Sequence, residues 1–313
     1  MKQYNVVIIG AGNIGAFFDE PVSERILTHA HIFYNSDYFN LLGFYDINIK
    51  KAEEAASRWM CEAYESMDSA LMNADVVCCT VPDEYHYEVL KEIARYNVRL
   101  VFTEKPLTKT MIQAEDIISL YREKNIPILV NYTRRFLNEI RLVKSLIKEY
   151  GGFIKGTGYY GKGIVHNGSH MIDLIKFLLG DITGYKKLDE VYDFYNDDPS
   201  VDTRIEVMGG SLVLQAVDCR FTTVFELDLL FEKARIQILE SGFLIKIYEV
   251  TDSPVFNGYK NYFITKEISV DFNQAFVNAT ENIRDVLEGR EKLISSSENA
   301  ADVMKICCEL RGD

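Results

Sequence analysis

Residues 6–15 read Val-Val-Ile-Ile-Gly-Ala-Gly-Asn-Ile-Gly, and the first half of the chain is built around them. The four apolar residues are typical of a strand that is buried on both faces of a parallel sheet. Gly10, Gly12 and Gly15 then form a GxGxxG pattern, with Asn13 and Ile14 between them. Between a strand and a helical segment, such glycines let backbone amides approach a pyrophosphate at the helix N-terminus. The stretch predicts a Rossmann-type dinucleotide site; a glycine-rich turn is the alternative.

The second predicted strand, residues 41–45, is followed by an acidic residue, Asp46. A carboxylate at this place accepts both ribose hydroxyls and repels a 2′-phosphate, so Asp46 favours NAD over NADP. A helix or turn cap is its alternative role. Asp46 lies 31 residues after Gly15, more than the usual spacing of about 20, which predicts an insertion within residues 17–40. Two histidines of that insertion, His29 and His31, are interpreted as structural or surface residues.

Further strands are predicted at residues 74–79, 100–102 and 128–130, with helices between them. Ligands of such sheets bind beyond the carboxyl ends of the strands. Thr80 and Pro82 are therefore expected to face the cofactor. His86 falls in the first turn of the following helix, where it either touches the nicotinamide side or is an ordinary helix-start residue.

One of these strands ends in Thr103-Glu104-Lys105-Pro106-Leu107. A charged pair next to a proline is unusual in a loop that only has to turn, and lysine is readily retuned by partial burial. We expect this loop to bring the Lys105 ammonium to a nicotinamide ring. An ammonium beside a developing alkoxide stabilises it electrostatically.

After residue 130 the sequence pattern changes, so we expect a first domain of residues 1–130 and a second of residues 131–313. Residues 204–207, 225–229 and 235–238 alternate apolar and polar side chains. This alternation is typical of an antiparallel sheet with one buried face. The open face of that sheet is also a candidate dimer surface. The predicted fold class is α/β, with a Rossmann domain followed by a second α/β domain.

Composition narrows the classes of partner. The 313-residue chain has 48% hydrophobic residues, 26% charged residues and a net charge of −13. An acidic surface gains nothing from counterion release, which argues against nucleic acid or an anionic membrane as partner. Six cysteines form no CxxC or Cys/His spacing, so no metal is expected. Residues 1–5 leave no room for a signal peptide before the first strand, and we expect a cytoplasmic protein with reduced thiols.

Two polar clusters lie around the start of the second domain. Residues 131–136 read Asn-Tyr-Thr-Arg-Arg-Phe and follow a strand end, where Tyr132 and Arg134 are expected to face the substrate cleft. Residues 163–173 run from a loop into a helix on which His170 and Asp173, three residues apart, share a face. Polar residues at the start of that loop give the expected pocket positive character; they are Lys162, His166 and Asn167.

Taken together, these motifs resemble the glucose-fructose oxidoreductase/inositol dehydrogenase/rhizopine catabolism family, Gfo/Idh/MocA. The resemblance covers the whole chain and lies in five pieces in the family's order: residues 10–15, Thr80-Val81-Pro82 with His86, residues 104–107, residues 131–136 and His170-Met171-Ile172-Asp173. It implies a Rossmann domain and a C-terminal α/β domain with an open, mostly antiparallel sheet. It also implies hydride transfer between NAD(P) and the carbinol carbon of a sugar, sugar derivative or cyclitol, in homodimers or homotetramers.

By this resemblance, Lys105 hydrogen-bonds the reacting hydroxyl and Pro106 shapes the loop against the nicotinamide. His170 is the general acid/base, and Asp173 helps to hold substrate or histidine; an imidazole is suited to that role near neutral pH. The sequence departs from the family at His166, where many members have an aspartate. His166 is therefore either a substrate-binding or solvent-facing loop residue, or a second group in the acid–base chemistry.

Two other functions stay open at the level of sequence. One is a non-catalytic sensor that keeps the fold to bind a dinucleotide and a partner protein. The other is an imine- or tetrapyrrole-reducing relative, which uses the same cofactor face but need not contain the lysine–histidine pair. The presence of both Lys105 and His170 favours the dehydrogenase.

Overall fold

The computed structural model describes residues 4–313. Residues 1–3, on which the expected absence of a signal peptide partly depends, lie outside the described residues. The chain folds into two compact units. Unit 1 comprises the described residues up to Phe136 together with Asn273–Asp302, and unit 2 comprises Leu137–Phe272 and Val303–Asp313. The expected domain boundary after residue 130 stays a prediction.

Unit 1 contains a six-stranded parallel sheet in the order β3-β2-β1-β4-β5-β6. Its strands are β1 (Tyr4–Ile9), β2 (Phe39–Tyr45), β3 (Glu62–Tyr64), β4 (Val76–Cys79), β5 (Leu100–Thr103) and β6 (Ile128–Val130). The continuous apolar runs are buried, as a sheet covered on both faces requires. This strand order is that of a Rossmann fold, which confirms the predicted fold class of the first half.

The helices of the first half are α1 (His29–Tyr34), α2 (Ile49–Trp59), α3 (Met67–Leu71), α4 (His86–Ile93) and α5 (Met111–Glu123). The helical segment expected after the glycine pattern is only the π-helical turn Asn13–Phe17. Side chains of α2 take the carbonyls near its end: the Trp59 indole donates to Ala16 O at 2.9 Å, and Arg58 donates to Asp19 O at 3.2 Å. These bonds replace the ones that a longer helix would make.

The insertion after this turn is fixed by one buried carboxylate. Asp19 accepts hydrogen bonds from the Leu27 amide at 2.6 Å and the Thr28 hydroxyl at 2.5 Å. His31 Nδ1 lies 2.8 Å from the same carboxylate, and the His31 side chain is buried. The insertion is thus an ordered part of unit 1.

Residues near the C-terminus complete unit 1. Helix α8 (Asn273–Leu287) belongs to it, and the segment after α8 pairs with β6. The Val130 amide donates to Ser295 O at 3.0 Å, and the Ser295 hydroxyl donates to Val130 O at 2.7 Å. Strand β6 therefore has a neighbour on each side, β5 and this returning segment.

Unit 2 is built on an eight-stranded sheet in the order β14-β13-β12-β11-β7-β10-β9-β8. Its strands are β7 (Phe153–Tyr160), β8 (Ile182–Val191), β9 (Ser200–Val207), β10 (Gly210–Ala216), β11 (Phe225–Phe231), β12 (Ala234–Leu239), β13 (Leu244–Asp252) and β14 (Lys260–Ser269). Only β7 and β10 pair in parallel among these described strands. Buried and half-exposed residues alternate strictly along β11 and β12, which confirms a mostly antiparallel sheet with one buried face.

Three further helices are α6 (Asn138–Ile147), α7 (Ser169–Leu179) and α9 (Ser297–Arg311). Within residues 4–313 no helix combines the length and apolarity that crossing a bilayer needs. The same residues form no group of three or more His, Cys, Asp or Glu side chains that could hold a metal ion.

Candidate functional site

The predicted cofactor residues follow neighbouring strands of the parallel sheet. The first residue after four of the strands still donates its amide to the adjacent strand: Gly10 to Tyr45 O, Thr80 to Ile9 O, Glu104 to Cys79 O and Asn131 to Thr103 O, all at 2.8–3.0 Å. The ladder thus extends one residue past each strand. This extension fixes the motif residues along the carboxyl edge of the sheet, where ligands of such sheets bind.

The glycine loop is packed on one side and open on the other. A Cβ on Gly10 would lie 2.7 Å from Val81 N, and one on Gly15 would lie 2.6 Å from Gly10 O. Gly10 also has a φ of +103°, which favours glycine. A Cβ on Gly12 would meet nothing closer than Thr80 O at 4.0 Å. Gly12 therefore faces open space, and the loop fits a pyrophosphate that approaches the exposed backbone near Asn13 and Ile14.

Thr80 and Asp46 hold this loop in place. The Thr80 hydroxyl donates to Gly10 O at 2.7 Å and is buried. One oxygen of Asp46 accepts from the Ala11 amide at 2.8 Å, and the other accepts from the Asn48 amide at 2.8 Å. Each carboxylate oxygen has a second lone pair, so Asp46 can still accept ribose hydroxyls. Thr80 contacts the loop, and its predicted contact with the cofactor stays a prediction.

Glu104 is fixed by two side chains that come from distant parts of unit 1. His29 Nε2 lies 2.9 Å from Glu104 Oε1, and the Asn131 amide donates to the same oxygen at 2.7 Å. His29 is fully buried against the Phe102 ring, with ring centroids 4.4 Å apart. Burial raises the pKa of Glu104, but the hydrogen bonds from His29 and Asn131 and the charge of Lys105 outweigh it and hold the pKa below its ordinary value. Glu104 is therefore a carboxylate at neutral pH.

His86 joins the two loops on which the predicted nicotinamide residues lie. Its ring is buried, with Nδ1 2.7 Å from Pro106 O and Nε2 3.0 Å from Val81 O. Of the two readings left open for His86, the structure places it in a helix start, inside a packed interior. Pro82, between these loops and the helix, is exposed. His86 thus fixes the loop backbone, and its contact with the cofactor stays a prediction.

Lys105 lies between two residues that are both held by buried histidines. Glu104 is bound by His29, and the Pro106 carbonyl is bound by His86. The Lys105 side chain itself is half-buried, and the Lys105–Pro106 peptide bond is cis. The backbone on both sides of the lysine is therefore positioned by side chains of unit 1.

The residues expected to face substrate in unit 1 follow β6. Tyr132 is buried at 2% exposure, and Arg134 is half-buried in the 3₁₀ turn Thr133–Phe136. The neighbouring Arg135 donates to Ile294 O at 3.0 Å. Arg135 thus has a structural partner in the returning segment.

The second group of predicted residues lies at the start of α7 in unit 2. The π-helical turn Ile164–Gly168 leads directly into α7. His170 is half-exposed and Asp173 is buried, one helical turn further on. The predicted helix over residues 169–179 is confirmed. The roles of His170 and Asp173 stay predictions.

His166 has a carboxylate partner that sequence reasoning missed. His166 Nδ1 lies 2.7 Å from Asp198 Oδ2, and the His166 ring stacks on Tyr195 at 3.8 Å with an interplanar angle of 15°. Asp198 also accepts from the backbone amides of Val165 and His166, at 3.0 Å each. The only signal in the sequence is Asp198 before a proline, in the loop between β8 and β9.

Lys162 and Asn167 support the same loop. The Lys162 amide donates to Asp193 Oδ2 at 2.7 Å, and the Asn167 side chain donates to Gly161 O at 2.8 Å. Lys162 Nζ lies 5.7 Å from the Phe194 ring centroid, within range of a cation–π contact. Desolvation raises the pKa of Asp193, but hydrogen bonds led by the Lys162 amide outweigh it and lower the pKa overall. A positive side chain and two aromatic rings thus lie near His166.

Comparisons with known proteins address the first half directly. Residues 4–132 match the family model described as "Oxidoreductase family, NAD-binding Rossmann fold", the GFO_IDH_MocA model. These residues form a Gfo/Idh/MocA domain. The predicted resemblance to the Gfo/Idh/MocA family is thereby confirmed. An NAD-binding Rossmann domain of an oxidoreductase family is also what the glycine loop and Asp46 independently indicate.

Individual relatives of this chain are distant. It is 26% identical to the UDP-N-acetylglucosamine 3-dehydrogenase of Acidithiobacillus ferrooxidans over 128 residues, which are 41% of this chain and 36% of that protein. It is 29% identical to an uncharacterised oxidoreductase of Schizosaccharomyces pombe over 204 residues, 58% of this chain and 53% of that one. The matched stretches thus span about a third to a half of these curated relatives.

Solved structures share the fold over nearly the whole chain. The Acidithiobacillus ferrooxidans dehydrogenase superposes with a TM-score of 0.80 at 17% identity, covering 99% of this chain and 97% of that one. A 3-ketoreductase of Actinomadura kijaniata, solved with TDP-benzene and NADP, gives a TM-score of 0.73 at 15% identity, covering 99% and 97%. At these identities the comparison shows the fold alone.

Proposed function

We propose that the protein is an NAD(P)-dependent oxidoreductase that interconverts a carbinol and a ketone on a sugar, a sugar derivative or a cyclitol. The observation that supports this most is the position of Lys105. It lies at the carboxyl edge of a dinucleotide-binding sheet, and buried histidines hold the residues on both sides of it. A loop that served only as a turn would not need this bracing.

The cofactor side of the proposal rests on residues 10–15 and Asp46. Bound NAD(P) supplies the hydride acceptor for carbinol oxidation. The open side of Gly12 fits the pyrophosphate, and Asp46, which repels a 2′-phosphate, favours NAD over NADP. Five further residues complete the proposed cofactor side: Thr80, Pro82, His86, Glu104 and Pro106. The buried residues among them contribute by fixing the loops.

The substrate side of the proposal assigns one role to each polar residue. The Lys105 ammonium stabilises the alkoxide as the hydroxyl proton leaves. An imidazole at the start of α7 takes that proton, a role that the resemblance gives to His170, with Asp173 behind it. The remaining residues bind substrate hydroxyl or anionic groups; they are Tyr132, Arg134, Lys162, His166 and Asn167.

Nucleotide sugars belong in any substrate screen. One similar protein is named for a nucleotide sugar, a UDP-N-acetylglucosamine 3-dehydrogenase, and another, a 3-ketoreductase, was solved with the nucleotide derivative TDP-benzene. The positive character around Lys162 suits an anionic sugar derivative. The same proposal includes a cytoplasmic location and a homodimer or homotetramer formed through the open face of the unit 2 sheet. Light scattering measures the molar mass of the assembly and so the number of chains in it.

The test compares Lys105→Met with Lys109→Met, a matched control on an exposed lysine four residues away. Each protein is incubated with NAD or NADP and a panel of sugars, nucleotide sugars and cyclitols, while the absorbance of the reduced cofactor is followed. We expect Lys105→Met to lower kcat by roughly 10² to 10⁴-fold with the Kd of NAD nearly unchanged, and Lys109→Met to behave as wild type.

Two results would contradict the proposal in different ways. Turnover by Lys105→Met at the wild-type rate would show that Lys105 does not take part in catalysis. Tight NAD binding by the wild type with no turnover of any compound would favour the non-catalytic sensor instead.

A further inference from the structure

His166 and Asp198 form a carboxylate–imidazole pair. The distance from His166 Nδ1 to Asp198 Oδ2 is 2.7 Å, a short charge-assisted hydrogen bond. The Asp198 side chain is 1% exposed, whereas the His166 side chain is 29% exposed. A buried carboxylate thus holds one nitrogen of a ring that solvent can reach.

The carboxylate of this pair is fixed independently of the histidine ring. It accepts from the Val165 amide at 3.0 Å and from the His166 amide at 3.0 Å. Gly163, with a φ of +79°, packs so closely that a Cβ there would lie 2.1 Å from Asp198 Oδ2. The stacked Tyr195 ring fixes the plane of the imidazole from one side. The orientation of His166 is therefore determined by the loop between β8 and β9, which contains both Asp198 and Tyr195.

This arrangement assigns the tautomer of His166. An ionised carboxylate only accepts hydrogen bonds, so Nδ1 must carry the hydrogen. In the neutral ring Nε2 is then the nitrogen with the lone pair, to which a proton can be transferred. The same division of labour orients the histidine in Ser-His-Asp enzymes.

We propose that His166 is the acid–base residue of the reaction and that Asp198 is its positioning residue. This inference rests on the proposed function and exchanges the roles given there to two histidines: His166, in the π-helical turn before α7, and His170, in the first turn of α7. With NAD(P) bound as the hydride acceptor for carbinol oxidation, the hydroxyl proton would go to His166 Nε2 and then to solvent. Ketone reduction runs the same transfers backwards. His170, one helical turn on, binds the substrate.

The first test uses three variants: His166→Asn, His170→Asn and Asp198→Asn. Asparagine at 166 keeps a donor near the position of Nδ1 for Asp198 but lacks Nε2, so the loop can fold without the base. We expect His166→Asn to lower kcat by roughly 10² to 10⁴-fold with KM and the melting temperature nearly unchanged. His170→Asn should mainly raise KM. Asp198→Asn should lower kcat more than it raises KM.

The second test needs no substrate. Long-range ¹H–¹⁵N spectra of the imidazoles, with His166 assigned by its absence in His166→Asn, report which nitrogen carries the hydrogen. We expect the Nδ1–H tautomer in the wild type and its partial loss in Asp198→Asn. If Asp198→Asn does not fold, the wild-type spectrum and the His166→Asn kinetics still decide.

Each contrary outcome has a distinct meaning. An Nε2–H tautomer in the wild type overturns this inference, as does wild-type turnover by His166→Asn while His170→Asn is inactive; the proposed function survives both. A wild type that turns over no compound overturns the proposed function and the acid–base step with it, even if the spectrum shows the Nδ1–H tautomer.

Discussion

The Asp46 carboxylate has two roles in the proposed complex, one structural and one in cofactor binding. It accepts the Ala11 amide and so fixes the glycine loop, and in the proposed complex it also accepts the ribose hydroxyls. The first task needs an oxygen atom at that place, whereas repulsion of a 2′-phosphate needs the negative charge. The two tasks can therefore be separated by substitution.

We expect Asp46→Asn to keep the hydrogen bond from the Ala11 amide but to lose the charge and the hydrogen bond from the Asn48 amide. The asparagine oxygen can still accept from Ala11, so the Kd of NAD should rise by roughly tenfold or less, equivalent to about 1.4 kcal/mol, while discrimination against NADP largely disappears. Asp46→Ala, which removes the oxygen as well, should weaken both cofactors further. Isothermal titration with NAD and NADP measures this, and an unchanged NAD-to-NADP ratio in Asp46→Asn would exclude the ribose contact.

The places of residues that follow strands were predictable from sequence. Gly10, Asp46 and Lys105 each lie just after a strand of the parallel sheet, as expected, and their roles stay predictions. Asp198 and His29 were not predictable in their roles, because their partners lie 32 and 75 residues away. A pairing over such a distance depends on the packing of the whole unit, which local patterns do not record.

At the scale of elements, His86 connects two loops that follow different strands. Its two ring nitrogens lie within hydrogen-bond distance of the Val81 carbonyl, after β4, and the Pro106 carbonyl, after β5. Helix α4 thus starts with a side chain that determines the spacing between the loops on which the proposed chemistry depends. Asparagine places a donor near the position of Nδ1, and glutamine places one near that of Nε2, so each can replace one bond.

Because an imidazole in its neutral form carries a single N–H, we expect His86→Ala to lower the free energy of unfolding by about 1–3 kcal/mol for the buried carbonyl that loses its donor. His86→Asn, which keeps the Pro106 bond, should retain more of the Lys105-dependent turnover than His86→Gln, which keeps the Val81 bond. Urea unfolding and steady-state kinetics measure the two effects. The matched control is Tyr85→Ala, at an exposed neighbour, with an expected change within about 0.5 kcal/mol. Equal kcat in all the His86 variants would show that the bond to Pro106 does not position the lysine.

The length of the first helical segment could not be predicted from the sequence pattern. The glycine pattern correctly predicted a helical turn after β1, but the turn ends at Phe17. Its length depends on Trp59 and Arg58 of α2, which donate to the Ala16 and Asp19 carbonyls from 43 and 39 residues further along the chain. The sequence spacing to Asp46 did reveal the insertion, because an excess of residues between two strands is a local property.

At the scale of the whole molecule, unit 1 is discontinuous in sequence. The family model ends at residue 132, but the unit also contains Asn273–Asp302. The returning segment bonds the β6 backbone at Val130 and the buried Arg135 side chain. Asn278 of α8 donates to the Phe136 carbonyl. Phe276 of α8 also packs against the His29 ring at 5.5 Å. A change of sequence pattern near residue 130 does not reveal that residues 273–302 belong to unit 1, because nothing in the sequence of the later helices distinguishes them from helices of unit 2.

A fragment of residues 1–136 should therefore fail to fold cooperatively. Without the returning segment, the Val130 and Arg135 groups lose buried partners, and each such loss costs about 1–3 kcal/mol, against a total stability of about 5–15 kcal/mol for a typical domain. The apolar side of His29 also becomes exposed, which loosens the bond to Glu104 beside Lys105. Joining residues 273–302 to this fragment through a flexible linker should restore a sharp thermal transition and NAD binding. Circular dichroism melts and NAD titrations of the two fragments make the comparison, and a cooperative transition with NAD binding in residues 1–136 alone would show that the returning segment is dispensable for unit 1.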